Sequence, residues 1–369
     1  MVAPRSAGRR LAFLDWTRGF AACIMLQGHV SSSFTHKDLR NDSFYVLSQF
    51  FGGLTPAIFL FLTGVTLGFL MDSQSKKEPS GTRRMVSTLL RARYLLLIGI
   101  LFHFQMWATA FGQSDWVNIF KVDILNCMAA TIALLTPFAL LDTPGRVRYG
   151  ALAGFAIACA SPFVTQMNLS WLHPFLRNYL VPSPAFFSVF PWGAFVAFGL
   201  CCGSVLRQVK DEDLPRIMPW AGLIGLVLIY ASRFVSDIPF TLYPKANFWL
   251  DSPLLILIKL GVILLITCWA FLLTRYLNPH GWSFVRQLGV TSLLVYWVHT
   301  ELVYGRWFGA WKEALTVPQT LLMDIFIIAL MVLLSVAKTG WQGFAGVPTL
   351  AIEWWKSQRQ PAVATGTGD

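Results

Sequence analysis

Charge is what this sequence has least of. Asp, Glu, Lys and Arg make up 13% of its 369 residues, against about 25% in an average soluble domain. Beside that scarcity stand 55% hydrophobic residues, 15 Trp, 30 Phe and a mean hydropathy of +0.57. Together they exclude an ordinary soluble globule and imply an all-α, polytopic protein of the lipid bilayer. Acid is scarcer than base, with 18 Asp and Glu against 29 Lys and Arg, a net charge of +11. In a soluble chain that balance would suggest nucleic acid. Membrane proteins hold Lys and Arg on their cytoplasmic loops, so no nucleic-acid partner is implied here.

Other absences narrow the chemistry. There is no P-loop, no Gly-rich dinucleotide fingerprint, no zinc signature and no nucleophile elbow. Cys23, Cys127, Cys159, Cys201, Cys202 and Cys268 all fall in apolar stretches without metal-ligand spacing, so neither a metal nor a disulfide framework is expected. No internal repeat is visible, which counts against transporters built from inverted repeats. No connection is long enough for a separate soluble domain. Residues 1–355 are expected to form one transmembrane domain, and 356–369 a disordered tail. The N-terminus, MVAPRSAGRR before an apolar run, mimics a signal peptide. The run is too long and too polar in its second half, so it is read as a retained helix.

What the sequence does have is ten apolar stretches, each near the 20 residues that cross a bilayer: 11–33, 45–71, 85–110, 123–141, 148–166, 186–206, 216–235, 253–275, 285–306 and 319–338. Ser161-Pro162 breaks the fifth. Pro56 and Pro191 interrupt the second and sixth, where freed backbone groups either line a cavity or mark a kink. With the N-terminus inside, inside segments hold 19 Lys and Arg and outside segments hold eight. That bias predicts about ten transmembrane helices with both termini cytoplasmic. Gly64-x-x-x-Gly68 and Gly199-x-x-x-Gly203 are small-residue helix contacts, and they also allow a homodimer.

The first stretch carries ionisable residues that are costly in hydrocarbon: Asp15, Arg18 and His29. Arg18 and His29 are eleven residues apart, which places them on one helical face, roughly 16 Å from each other along the axis. In the predicted orientation Arg18 lies toward the cytoplasmic side and His29 toward the outer side. His103, Asp123, Asn126 and His299 fall at a depth similar to His29, on three other helices. Each of these has a bland reading as a hydrogen bond between helices. Glu301 reads as a rim residue, and Lys259 as a lysine that snorkels to the surface. At the inner surface Lys76, Lys77, Arg83, Arg84, Arg91 and Arg93 flank the third helix. They are either the orientation signal alone or a phosphate site, since the Arg fork matches phosphate geometry. Arg91 and Arg93 lie on different faces, so at most one joins Arg18.

Several stretches resemble a known superfamily. Leu14-Asp15-Trp16-Thr17-Arg18-Gly19-Phe20-Ala21 resembles the LDxxRGxA opening of the transmembrane acyltransferases. His29 sits where many bacterial membrane O-acyltransferases carry a His. Gly53 to Gly64 is similar to their PxFFFxxG stretch. Phe190-Pro191-Trp192-Gly193 with Gly199 looks like the PxxPWxGxxxxG helix of the heparan-alpha-glucosaminide N-acetyltransferase-like family. Val122-Asp123-Ile124-Leu125-Asn126 is a looser match to that family's xGVLQRI helix. Ser292 to His299 resembles the superfamily's SLxxYxxH helix.

The resemblance implies transfer of an acyl group, usually acetyl, from cytoplasmic acyl-CoA to a hydroxyl or amine of a sugar or glycan across the membrane. It implies acetyl-CoA or another acyl-CoA as co-substrate, a multi-pass protein of a bacterial inner or plasma membrane, and a donor site drawing on Arg18, Arg91, Arg93, Asp15 and Asn126. In the heparan branch the catalytic His lies in the outer loop after the first helix, and an Asn stands at the position matching His29. Here that loop holds His36, off the branch's spacing. His29 is the favoured catalytic residue and His36 the second, with His299 and Asp123 as further candidates. Histidine suits acyl transfer because it serves as base or nucleophile near neutral pH. The competing class is a transporter of an anionic or sugar solute, with Arg18 as anion site and the histidines as proton relay.

Overall fold

The computed structural model describes residues 11–238, 243, 245–277 and 282–343. The expected tail, 356–369, lies outside them. Among the described residues every regular element is a helix. They are α1 (Ala12–Phe34), α2 (Ser43–Gly52), α3 (Thr55–Lys77), α4 (Gly81–Thr109), α5 (Ile124–Leu134), α6 (Thr143–Gln166), α7 (Pro174–Leu180), α8 (Val189–Gln208), α9 (Leu214–Ser236), α10 (Pro253–Leu272), α11 (Phe284–Val290), α12 (Ser292–Tyr304) and α13 (Val317–Gly343). Among the described residues seven helical stretches are long and apolar enough to cross a membrane. Their outward faces carry side chains such as Leu97 and Leu101 on α4 and Val227, Tyr230 and Phe234 on α9, all exposed. Apolar faces of that extent suit hydrocarbon and not water.

Each of the ten apolar stretches carries helix, but several are not single rods, among them 186–206, whose α8 is broken by the non-helical Phe190 just before Pro191. Stretch 45–71 is α2 and α3, parted at Gly53 and Leu54, with Pro56 in the first turn of α3. Proline is harmless there, because first-turn N–H groups have no helical partner. Stretch 123–141 is the eleven-residue α5 and a 3₁₀ turn, Thr136–Leu140. Stretch 285–306 is α11 and α12, parted at Thr291. The expected break at Ser161-Pro162 is absent, since α6 runs through Pro162 to Gln166. Pro162 removes a single amide near the helix end and is itself buried against neighbouring helices.

Glycine sets the closest helix contacts. A Cβ on Gly64 would stand 2.0 Å from the Val196 carbonyl oxygen, and one on Gly199 would stand 2.0 Å from that of Phe61. The two small-residue motifs therefore pack against each other within the chain, α3 on α8. All four glycines of the two motifs are used in this contact. Gly19 on α1 does the same against α11, where a Cβ would meet the Val285 carbonyl oxygen at 1.6 Å. The sequence partner of Arg18 is thus the residue that lets α11 close on α1. Gly64→Leu is expected to lower the melting midpoint and the monodisperse fraction in detergent size-exclusion. It belongs at the upper end of the about 1–3 kcal/mol typical of overpacking.

The buried apolar side chains form two clusters. One fills the space among α3, α5, α8 and α10, with Phe61, Ile132, Phe195 and Leu200. The other joins α12 and α13 through Val295, Val303 and Ile327. Helix α1 belongs to both, giving Phe13, Leu14 and Ala21 to the first and Leu26, Val30 and Phe34 to the second. Its polar residues are held at the seam.

Candidate active site

At one end of the seam two histidines meet. His29 Nδ1 lies 2.9 Å from His299 Nε2, and the rings are stacked with centroids 5.2 Å apart. His299 Nδ1 lies 2.6 Å from the Val295 carbonyl oxygen, one turn back on α12. A carbonyl only accepts, so His299 Nδ1 carries the hydrogen. His299 Nε2 then holds the lone pair and accepts from His29 Nδ1–H. That leaves His29 Nε2 unprotonated in the neutral pair. The chain from Val295 through His299 to His29 fixes both tautomers and presents one basic nitrogen. His299 is fully buried, while His29 is partly exposed. The edge of Tyr304 packs on His29, with ring centroids 5.3 Å apart, and the Tyr304 hydroxyl lies 3.0 Å from Ser32 Oγ.

A second polar group lies beside it. Asp123 caps α5 by accepting the Asn126 backbone N–H at 2.9 Å on Oδ1. Its other oxygen lies 3.5 Å from His103 Nε2 on α4 and accepts the Tyr296 hydroxyl at 3.3 Å. Tyr296 in turn packs edge-on to His299, centroids 6.0 Å apart. The residues expected to share a depth are therefore brought together from α1, α4, α5 and α12. Asn126 gives its amide to the Lys121 carbonyl at 3.0 Å, while its Oδ1 is buried with no hydrogen bond.

Glu301 stands elsewhere than expected. It is not at a rim but buried, and it accepts from Thr109 at 3.4 Å, Gln105 at 3.5 Å and the Trp307 indole at 3.3 Å. Three donors compensate for taking a carboxylate out of water. Lys259 has a defined partner. Its ammonium donates to the exposed Gly53 carbonyl at the α2–α3 junction at 3.1 Å and lies 4.9 Å from the Trp192 ring centroid.

His36 turns away from the histidine pair. Its ring accepts the Asp38 backbone N–H at 3.3 Å in an exposed turn. The loop that carries it is tied down by backbone bonds between His36 N–H and the Leu315 carbonyl (2.9 Å) and between Leu315 N–H and the Phe34 carbonyl (2.9 Å). Glu313 adds ion pairs to Lys37 at 2.8 Å and Arg40 at 3.1 Å, and the bonded Lys37 ammonium, with Arg40, holds its carboxyl below the usual range.

Below Tyr304 the surface opens into a cleft of about 610 Å³. Its walls include His103, Trp107, Gln113, Asn118, Arg306 and Tyr304. Polar amides, an indole and a cation are a lining suited to a polar ligand.

At the opposite end of α1, Arg18 pairs with Asp15 at 3.6 Å, and Asp15 is buried. Arg91 reaches Thr66 at 3.1 Å and lies close enough to Arg18 for their charges to repel. Arg93 is exposed on another face of α4. Arg84 and Arg91 each keep a buried Nε without a hydrogen bond. One network at this end went unforeseen. Asp72 on α3 gathers Arg207 of α8 at 2.9 Å, Lys76 at 3.0 Å and Thr143 of α6 at 3.1 Å, with the fully buried Arg146 at 3.9 Å. An acid at the edge of a run of cations, Asp72 before Lys76 and Lys77, was the available signal.

Comparison with curated proteins gives no match. Comparison with family models gives one, described as heparan-alpha-glucosaminide N-acetyltransferase, catalytic, over residues 10–233, more than half of the chain. It takes in Arg18, His29, Asp72, His103 and Asp123 and ends before α12. With its helices and with this match, the chain belongs to the heparan-alpha-glucosaminide N-acetyltransferase family, a family of membrane acetyltransferases.

Proposed function

We propose that the chain takes an acetyl group from cytoplasmic acetyl-CoA and passes it to a hydroxyl or amine of an extracytoplasmic sugar or glycan. The observation that carries this reading is the fixed tautomer chain ending at His29 Nε2. A base or nucleophile oriented by a second group is the arrangement that acyl transfer needs. When the neutral His29 gains a proton, the hydrogen bond from Nδ1–H to His299 Nε2 becomes charge-assisted and stabilises the cation.

The Lys and Arg bias supports placing the Arg18 end in the cytoplasm, with ten membrane segments and both termini inside. Arg18 and Arg91 then stand where the phosphates of CoA would arrive, and the unpartnered Nε groups of Arg84 and Arg91 are free donors for them. Asp15 holds Arg18 in place. The thioester points along α1 toward His29, about 16 Å away. Asn126 Oδ1 and the cleft under Tyr304 lie at the far end, where the acceptor enters.

The test is direct. Millimolar acetyl-CoA is expected to raise the melting midpoint of the detergent-purified protein, and label from acetyl-CoA is expected to enter membrane material in cells that make it. No thermal response and no label would defeat the reading, since a transporter of sugars has no reason to bind CoA. In Arg18→Gln/Arg91→Gln, losing charged hydrogen bonds worth about 1.5–3 kcal/mol each should demand at least roughly tenfold more acetyl-CoA for the same stabilisation.

A further inference from the structure

The histidine that faces the cleft is not His29. His103 lines it, and so does Tyr304, which packs edge-on with His29. His103 projects from α4 with its buried Nε2 turned to Asp123, 3.5 Å from Oδ2, an ion-pair distance at which Nε2 makes no hydrogen bond in this structure. That carboxylate is held from two further directions, by the Asn126 N–H on Oδ1 and the Tyr296 hydroxyl on Oδ2. A fixed carboxylate at Nε2 favours the hydrogen there and leaves the lone pair on Nδ1. An imidazole oriented by a carboxylate on the wall of a polar cleft is the geometry of a general base.

We propose that His103 is a catalytic residue, the base that takes the proton from the acceptor, and that Asp123 and Tyr296 are positioning residues acting through it. The inference rests on the acyl-transfer reading above and divides that chemistry between two histidines. The acceptor's O–H or N–H bond breaks and its proton passes to His103 Nδ1. The electron pair set free forms the new bond to the acyl carbon. The bond from that carbon to its carrier breaks, the carrier being the CoA sulfur, or the His29 nitrogen when the acyl group rests there first. The carrier leaves with the electron pair, and His103 gives up its proton to neutralise it. His29 serves the donor side and His103 the acceptor side.

The arrangement belongs to this chain's own residues. Asp123 also gives a conservative variant. Asn caps a helix as well as Asp does, so Asp123→Asn keeps the α5 cap while it removes the charge and puts an amide donor where Oδ2 faces His103 and Tyr296.

The experiment measures transfer of label from acetyl-CoA into membrane material in cells that make each full-length variant. Alongside it runs acetyl-CoA-dependent thermal stabilisation of the purified protein. His103→Gln is expected to lower transfer at least about 100-fold, the lower bound of what a positioned base contributes, with stabilisation unchanged. Asp123→Asn should lower kcat about tenfold or more at an unchanged KM for acetyl-CoA, with partial return in Asp123→Glu. Tyr296→Phe should show a smaller loss of the same kind. Transfer by His103→Gln at the wild-type rate would overturn the proposal while leaving the acyl-transfer reading intact. Parallel loss of stabilisation and transfer in every variant would assign these residues to packing and overturn it too. A wild-type protein that transfers no label defeats the acyl-transfer reading itself, and this inference with it.

Discussion

His29→Ala is expected to reduce acetyl transfer at least about 100-fold, with the protein still folded and still stabilised by acetyl-CoA. The effect is large because His29 Nε2 is the one nitrogen whose lone pair is not already taken by a hydrogen bond within the pair. His299 cannot substitute for it. Its Nδ1–H is committed to the Val295 carbonyl at 2.6 Å and its Nε2 to His29 at 2.9 Å. Alanine removes the reacting nitrogen and leaves His299 Nε2 with the weak contact to Thr300 Oγ1 at 3.4 Å. His29 is partly exposed, so truncation opens space to water and does not leave a dry hole. His299→Phe should give a smaller loss, about tenfold or more, because it frees the His29 tautomer without removing the base. The check is label transfer from acetyl-CoA measured beside the melting midpoint. Full activity in His29→Ala would take the residue out of the chemistry. Full activity in His299→Phe alone would show that the tautomer needs no support from α12.

How far this site could be read from sequence differs from residue to residue. The Arg18/His29 register was legible because helical geometry converts a spacing of eleven directly into one face. A shared depth for His29, His103, Asp123 and His299 was legible too, because depth follows from position in a span. Contact was not, because it depends on how helices from distant parts of the chain pack, and only glycines such as Gly19 and Gly64 hint at that. Glu301 was misplaced because alternation along α12 says which way it points and nothing of the Gln105, Thr109 and Trp307 donors awaiting it. The partner of Lys259 was illegible for a related reason. The Gly53 carbonyl that holds it is exposed only by a helix break inside an unbroken apolar run. Arg146 was counted toward orientation, since a single Lys or Arg near a helix end looks the same in sequence whether it meets water or a buried carboxylate.

That last pair carries the other large prediction. Asp72→Ala is expected to destabilise the protein by about 3 kcal/mol, the low end of the loss when one partner of a buried ion pair is removed. Asp72 accepts from Arg207 at 2.9 Å, Lys76 at 3.0 Å and Thr143 at 3.1 Å, and it is nearly inaccessible to solvent. Arg207 and Lys76 reach water when the carboxylate goes, with side chains 32% and 65% exposed, so they add little. Arg146 does not, its side chain being 0% exposed. It keeps the Leu141 carbonyl at 2.7 Å and Thr143 at 2.9 Å, but its Nε has no hydrogen bond even with Asp72 present. A stranded, buried cation is therefore the main cost, and removing it should restore much of the loss. Arg146→Met in the Asp72→Ala background is expected to recover more than half, although alone it leaves Asp72 with fewer partners and destabilises. Melting midpoints of the four proteins in one detergent close the double-mutant cycle. Additive losses would mean that the two residues do not act on each other across the α3–α6 contact. A coupling above about 1 kcal/mol would identify this end of the bundle as held by one charge placed among cations from three helices, the same end to which the donor's phosphates are assigned.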